Sequence, residues 1–175
     1  MDINRFWHLI DDARAQVADP ADAEAVAAQA VVILAAQDPE EIVEAQQRFW
    51  DLMAASYRAP LWAAAYQING GCSDDGFEYF RGWLIAQGRT VFEQAVGDPD
   101  SLADHPAVLA AADGGDLECE DVLGIAWEAY KRATGEELPG GSFTISYPAL
   151  DPDWRFCFDD PSEIARRLPR LDALF

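Results

Sequence analysis

The chain has 175 residues, half of them hydrophobic, and sets 32 Asp and Glu against 12 Lys and Arg for a net charge of −20. That is the size of one domain, with enough apolar material to bury a core without disulfides or structural metal. The 6 Trp, 9 Phe and 5 Tyr exclude a disordered acidic tail, and a surface of this sign repels phosphate backbones and anionic lipid, so binding to nucleic acid or to a membrane surface is not expected.

In chain order, the opening Met1-Asp2-Ile3-Asn4-Arg5-Phe6-Trp7 has no basic segment followed by an apolar stretch, which leads us to expect a cytoplasmic protein. Apolar residues then recur at helical spacing, as in Phe6, Leu9, Ile10 and Ala13 and in Ile42, Ala45, Phe49, Leu52 and Met53. Asp19-Pro20 and Asp38-Pro39 each place a capping residue before a proline at the first helical position, which predicts helices near 3–18, 20–36 and 39–57. The run from 25 to 36, interrupted only by Gln29, is shorter than the about 18 residues that span a bilayer and reads as a buried helix. Pro60 begins a fourth helix that reaches Asn69-Gly70-Gly71. A fifth starts at Ser73 or Asp75, where Asp75 and Glu78 have capping-box spacing, and Gly88 ends or bends it before residues 89–96. Arg5-Phe6-Trp7-His8-Leu9 and Arg48-Phe49-Trp50-Asp51-Leu52 share a pattern, read as two amphipathic helices with the same aromatic packing.

No basic residue occurs between Arg89 and Lys131, and the interval carries Asp113, Asp116, Glu118, Glu120 and Asp121, an acidic face. Residues 120–134 form a further helix closed by Gly135, and Asp160-Pro161-Ser162 starts a terminal one. Between them lie turn-rich sequences and Phe143-Thr144-Ile145-Ser146-Tyr147, a candidate short strand or hairpin. The expected architecture is mainly α: one helical bundle over 2–134 with a loop-rich segment, 135–175, wrapped around it.

His8 and His105 stand alone, and the acidic loops do not match a calcium-binding pattern, so no metal or cofactor is expected. Cys72, Cys119 and Cys157 have no C-x-x-C spacing and suit reduced thiols, with a pairing of Cys119 and Cys157 left open. Cys72 precedes a helix, whose dipole favours a thiolate, but Asp74 and Asp75 beside it oppose ionisation, and an incidental cysteine is the preferred reading. The densest polar constellation is Asp74, Asp75, Glu78 and Arg81 among aromatic residues. Asp74 and Glu78 share a helical face with Arg81, which points to an internal ion pair, and secondarily to a small ligand pocket using Asp74, Asp75 and Arg81.

Three segments resemble an uncharacterised bacterial family of domains of unknown function. They are Phe6-Trp7-His8-Leu9-Ile10, the stretch from Ser73 to Arg89 with the pattern S-D-D-x-F-x-x-F-R-x-W-L-I-x-x-G-R, and Asp98-Pro99-Asp100-Ser101-Leu102-Ala103. The similarity covers roughly residues 3–130, with Trp127-Glu128-Ala129-Tyr130 at its end, and implies a bacterial intracellular helical domain with no assigned activity or catalytic residue.

The functional expectation is a non-enzymatic acidic binding protein, immunity-like in charge and size, whose residues Asp113, Asp116, Glu118, Glu120 and Asp121 meet a basic protein partner. The alternative is an enzyme or small-ligand binder with its pocket around Asp74, Asp75 and Arg81. A third is an assembly subunit with Trp7, Trp50 or Trp62 at an interface.

Overall fold

A computed structural model describes residues 1–175 as ten α-helices and three short 3₁₀ turns, with no strand. The first helix, α1 (Ile3–Gln16), begins where the Asp2 carboxylate accepts the Arg5 N–H at 2.9 Å. The second, α2 (Ala23–Leu34), starts later than the Asp19-Pro20 signal predicts. Asp19 instead turns the connection by accepting the Ala21 N–H, and Asp22 caps the helix through the Ala25 N–H. Then come α3 (Pro39–Ala55), α4 (Ala59–Ile68) and α5 (Asp74–Ala86). The N-cap of α5 is Ser73, whose hydroxyl accepts the Gly76 N–H at 3.1 Å, in place of the expected Asp75–Glu78 box. Gly88, at φ +90°, breaks the chain between α5 and α6 (Arg89–Gly97) in a conformation that a side chain disfavours. A 3₁₀ turn (Pro99–Asp104) leads to α7 (Pro106–Ala111). A second turn (Asp121–Gly124) takes up the first residues of the helix expected over 120–134, so α8 is Ile125–Thr134, closed by Gly135 as expected.

The centre of the molecule is α5. Every residue from 80 to 88 is buried, because α2, α3, α4, α6 and the 121–124 turn surround it. The turn approaches so closely that a Cβ added at Gly82 would lie 2.6 Å from the Cys119 carbonyl oxygen. The Cys119 N–H pins the same loop by donating to the Tyr79 carbonyl at 3.0 Å.

The C-terminal segment belongs to the same core. Leu138, Ile164, Leu168 and Leu171 join a single cluster of 41 buried hydrophobic residues. The last two helices, α9 (Pro161–Arg167) and α10 (Pro169–Asp172), carry Ile164 and Leu171, and Leu168 is the residue between them. Asp100, 7 % exposed, accepts the N–H groups of Arg170 and Leu171 at 3.0–3.1 Å and so ties α10 to the body. The expected strand or hairpin at 143–147 does not form. This stretch lies along α3, and its Thr144 exchanges hydrogen bonds with the Gln47 side chain at 2.8 and 3.2 Å. A helix has no free backbone edge to extend a sheet, so a side-chain amide takes that part.

The reading of 25–36 as a buried helix holds on one face only. Val26, Ala27, Ala30 and Leu34 are buried, whereas Glu24, Ala28 and Val32, one turn apart, are exposed, Val32 at 42 %. No neighbouring helix covers that stripe.

Candidate functional site

Arg81 is 2 % exposed and is the largest fully buried side chain of the protein. Its Nε donates to the Phe77 carbonyl at 3.1 Å and its Nη1 to the Met53 carbonyl at 2.7 Å. The rings of Phe77, Tyr147 and Tyr57 surround the guanidinium at 4.7, 5.0 and 5.2 Å. The expected ion pair with Asp74 or Glu78 is absent. Glu78 instead accepts the Tyr147 phenol at 2.9 Å and makes no hydrogen bond or ion pair with Arg81. Burial pulls the guanidinium below its usual pKa, an effect opposed first by Tyr147 and then by Glu78. Asp74 and Asp75 lie in the first turn of α5, exposed to solvent. The structure therefore does not bring Asp74, Asp75 and Arg81 together.

Cys72 lies just ahead of that helix. Burial, then the Glu118 carboxylate, push its thiol up to about 12, so it is protonated at neutral pH and a poor nucleophile. Cys119 is buried, Cys157 is exposed, and all three cysteines are free, which closes the question of their pairing. No group of three or more His, Cys, Asp or Glu side chains gathers as metal ligands would. His105 has a structural part: its Nδ1 accepts the Ala107 N–H at 3.3 Å at the start of α7, and its ring meets Trp83 edge-on.

The acidic stretch divides over three places. Asp113 and Asp116 lie in the exposed loop after α7, and Asp116 lines a cleft of about 710 Å3 together with Tyr66, Asn69, Phe158, Asp159 and Phe175. The Tyr66 hydroxyl, donating to Asp159 at 2.7 Å, bridges the walls of this cleft. Glu118 folds back toward α5, where its Oε1 lies 2.9 Å from the position of a Gly76 Cβ. Burial and then Asp116 raise its carboxyl above the usual range, while the Asn69 side chain pulls it down. Glu120 and Asp121 stand at the edge of a second cleft, of about 800 Å3.

That second cleft lies between α2, α3 and α8. Ala27, Ala28 and Val31 form one wall, Leu123 and Trp127 the other, and Trp50 closes it, while Glu120, Asp121, Glu128 and Arg132 form a charged rim. Of the tryptophans considered as interface residues, Trp7 is buried in the core and Trp62 stacks on Phe77 at 4.7 Å, so only Trp50 lines this surface. Trp127, Leu123, Glu128 and Arg132 were not singled out from the sequence as site residues. The available signal was the amphipathic spacing of 123, 127, 128 and 132, which by itself does not separate a core face from a cleft wall.

These features define a class: an all-α domain with unpaired carboxylates at the edge of an apolar cleft. No helix is long and apolar enough to cross a membrane. The chain belongs to the DUF4240 family, described as proteins of unknown function, whose model matches residues 1–132. The match takes in α1 to α7, most of α8 and every residue of the second cleft, and it ends before the segment that carries α9 and α10. No curated protein and no solved structure matches the chain.

Proposed function

We propose that the protein is a non-enzymatic acidic binding protein of the bacterial cytoplasm that engages a basic protein partner, immunity-like in its charge and size. One observation carries this reading: Asp113, Asp116, Glu118, Glu120 and Asp121 are all exposed and none is paired with a cation of the chain. The ion pairs that do form use Glu41, Glu44, Asp51, Glu93, Asp104, Glu137 and Glu163. A run of uncompensated carboxylates creates a field that speeds the approach of a positively charged partner and leaves the pairing to be completed across an interface.

The alternative, an enzyme or ligand binder at Asp74, Asp75 and Arg81, has less support. Neither main cleft is lined by any of the three, and the Arg81 guanidinium is occupied by two carbonyls and three rings.

The test is affinity capture from bacterial lysate at low and high salt. The bait is the full chain, and alongside it a variant carrying Asp113→Asn, Asp116→Asn, Glu118→Gln, Glu120→Gln and Asp121→Asn. The expected result is a basic protein retained at low salt, released at high salt and not retained by the variant. Retention that ignores both salt and the substitutions would contradict the proposal.

A further inference from the structure

We infer that the cleft between α2 and α8 is the seat for an amphipathic helix of the basic partner, apolar on one face and rich in Lys or Arg on the other. This rests on the basic-partner reading and adds where and how the partner docks. The first support is the composition of α2. Its sequence, AEAVAAQAVVIL, has Glu24 as its one charged residue, and a helix apolar on all sides belongs in an interior. Yet Ala28, which lines the cleft beside the half-buried Val31, Trp50, Leu123 and Trp127, faces solvent, as does Val32 one turn further along α2. The fold thus leaves uncovered a surface whose residues suit burial.

The second wall of the cleft is the 121–124 turn, with Glu120 before it, and α8 as far as Arg132, and its helical part, residues 125–132, spans about two turns. The alanines of α2 allow a close approach, and two tryptophans supply large apolar anchors. Charge selects the occupant. Glu120, Asp121 and Glu128 stand on the rim against a single Arg132. Glu24, exposed, lies one turn from Ala28. A second copy of this chain, itself at −20, would set like charges against one another across the seam. Cations placed along the polar face of a partner helix would instead meet carboxylates.

The experiment titrates the full chain, at low and high salt, with two synthetic peptides of about 14 residues, a length of about 21 Å as a helix. One places Leu on one helical face and Lys on the other; its shuffled counterpart has the same composition and no apolar face. Each is also titrated against the Ala28→Asp/Val32→Asp variant. Both substitutions are at exposed positions, circular dichroism and thermal unfolding of the variant verify that it folds as the parent does, and each adds negative charge, which would strengthen a purely electrostatic attraction. The expected result is binding of the amphipathic peptide at least about tenfold tighter than the shuffled one, and weakened at least about tenfold by the variant despite its extra charge. Equal, salt-sensitive binding of both peptides, unchanged or tightened in the variant, overturns the docking site and leaves the basic-partner reading standing. Absence of binding by either peptide at low salt overturns both. A dimer of the full chain that the variant dissociates assigns the cleft to a second copy and overturns the inference as well.

Discussion

Two helices of this protein, α5 and α2, invert the usual relation between composition and burial. Along α5 the sequence carries Asp74, Asp75, Glu78 and Arg81, yet from residue 80 onward it is buried on every side. Along α2 the only charge is Glu24, yet a stripe of it faces water. The charges of α5 are tolerated because three lie in its first two turns near solvent, while the fourth is placed where backbone carbonyls and aromatic faces replace water. The apolar stripe of α2 has no such internal account. Burial is decided by the neighbours an element receives, and the exposed stripe of α2 is where the inferred partner helix would supply one.

Five substitutions test the packing of α5 and of the segments beyond it. The largest effect is expected from Arg81→Ala, which removes a wholly buried side chain from between three rings and takes from the buried Met53 carbonyl its shorter hydrogen bond, leaving only the Ser56 hydroxyl at 3.3 Å. Urea denaturation should show a loss of about 3–5 kcal/mol, whereas Asp74→Asn should change stability by less than about 0.5 kcal/mol. Equal losses would restore the ion pair expected from the sequence.

Gly82→Ala comes next. The added methyl would meet the Cys119 carbonyl at 2.6 Å and Leu123 Cδ1 at 3.0 Å, and the first of these is backbone. A destabilisation of about 1–3 kcal/mol is expected, with the 121–124 turn displaced and the cleft beside it loosened. An unchanged denaturation midpoint would show that the turn is free to move.

Asp100→Ala takes away the carboxylate that accepts two N–H groups at the start of α10. The expected cost is about 1–2 kcal/mol, with limited proteolysis near residues 161–175 well ahead of cleavage elsewhere. Uniform protection would mean that the buried leucines alone hold the segment.

The smallest effect concerns pH. Burial, reinforced by Arg14, lowers the His105 pKa. The unfolded chain therefore takes up the proton more readily than the folded one, and stability is lost as pH falls through the ordinary imidazole value of about 6.5. His105→Asn keeps a capping acceptor for α7 and removes the titration. The difference between the two proteins should be constant above about pH 7 and shift in favour of the variant as the pH is lowered toward 5. Parallel profiles throughout would place the imidazole in solvent.

Much of the fold was legible because its punctuation is local. Asp38-Pro39, Ser73, Gly88 and Gly135 mark helix ends through the chemistry of one to three residues, and the structure has helix boundaries at each. The misplaced start of α2 shows the limit of such signals, since Asp19 and Asp22 are both competent caps and only packing chose between them. The candidate sites were less legible because their parts come from distant positions. The groups around Arg81 include residues 53, 57 and 147, none of which shares its helix. The walls of the apolar cleft come from residues 27–31, 50 and 123–132. The acidic residues were visible from the sequence, but their division between two clefts and the start of α5 depends on how the 112–121 loop is pinned by Asn69 and Tyr79.

The most direct test of the claim that α2 lacks a neighbour is hydrogen–deuterium exchange of the full chain, free and saturated with the amphipathic Leu/Lys peptide. The account predicts slowed exchange confined to residues 23–36 and 120–132, the two walls of the apolar cleft. Slowing confined to residues 66–70 and 111–119, with the α2 segment unchanged, would contradict it.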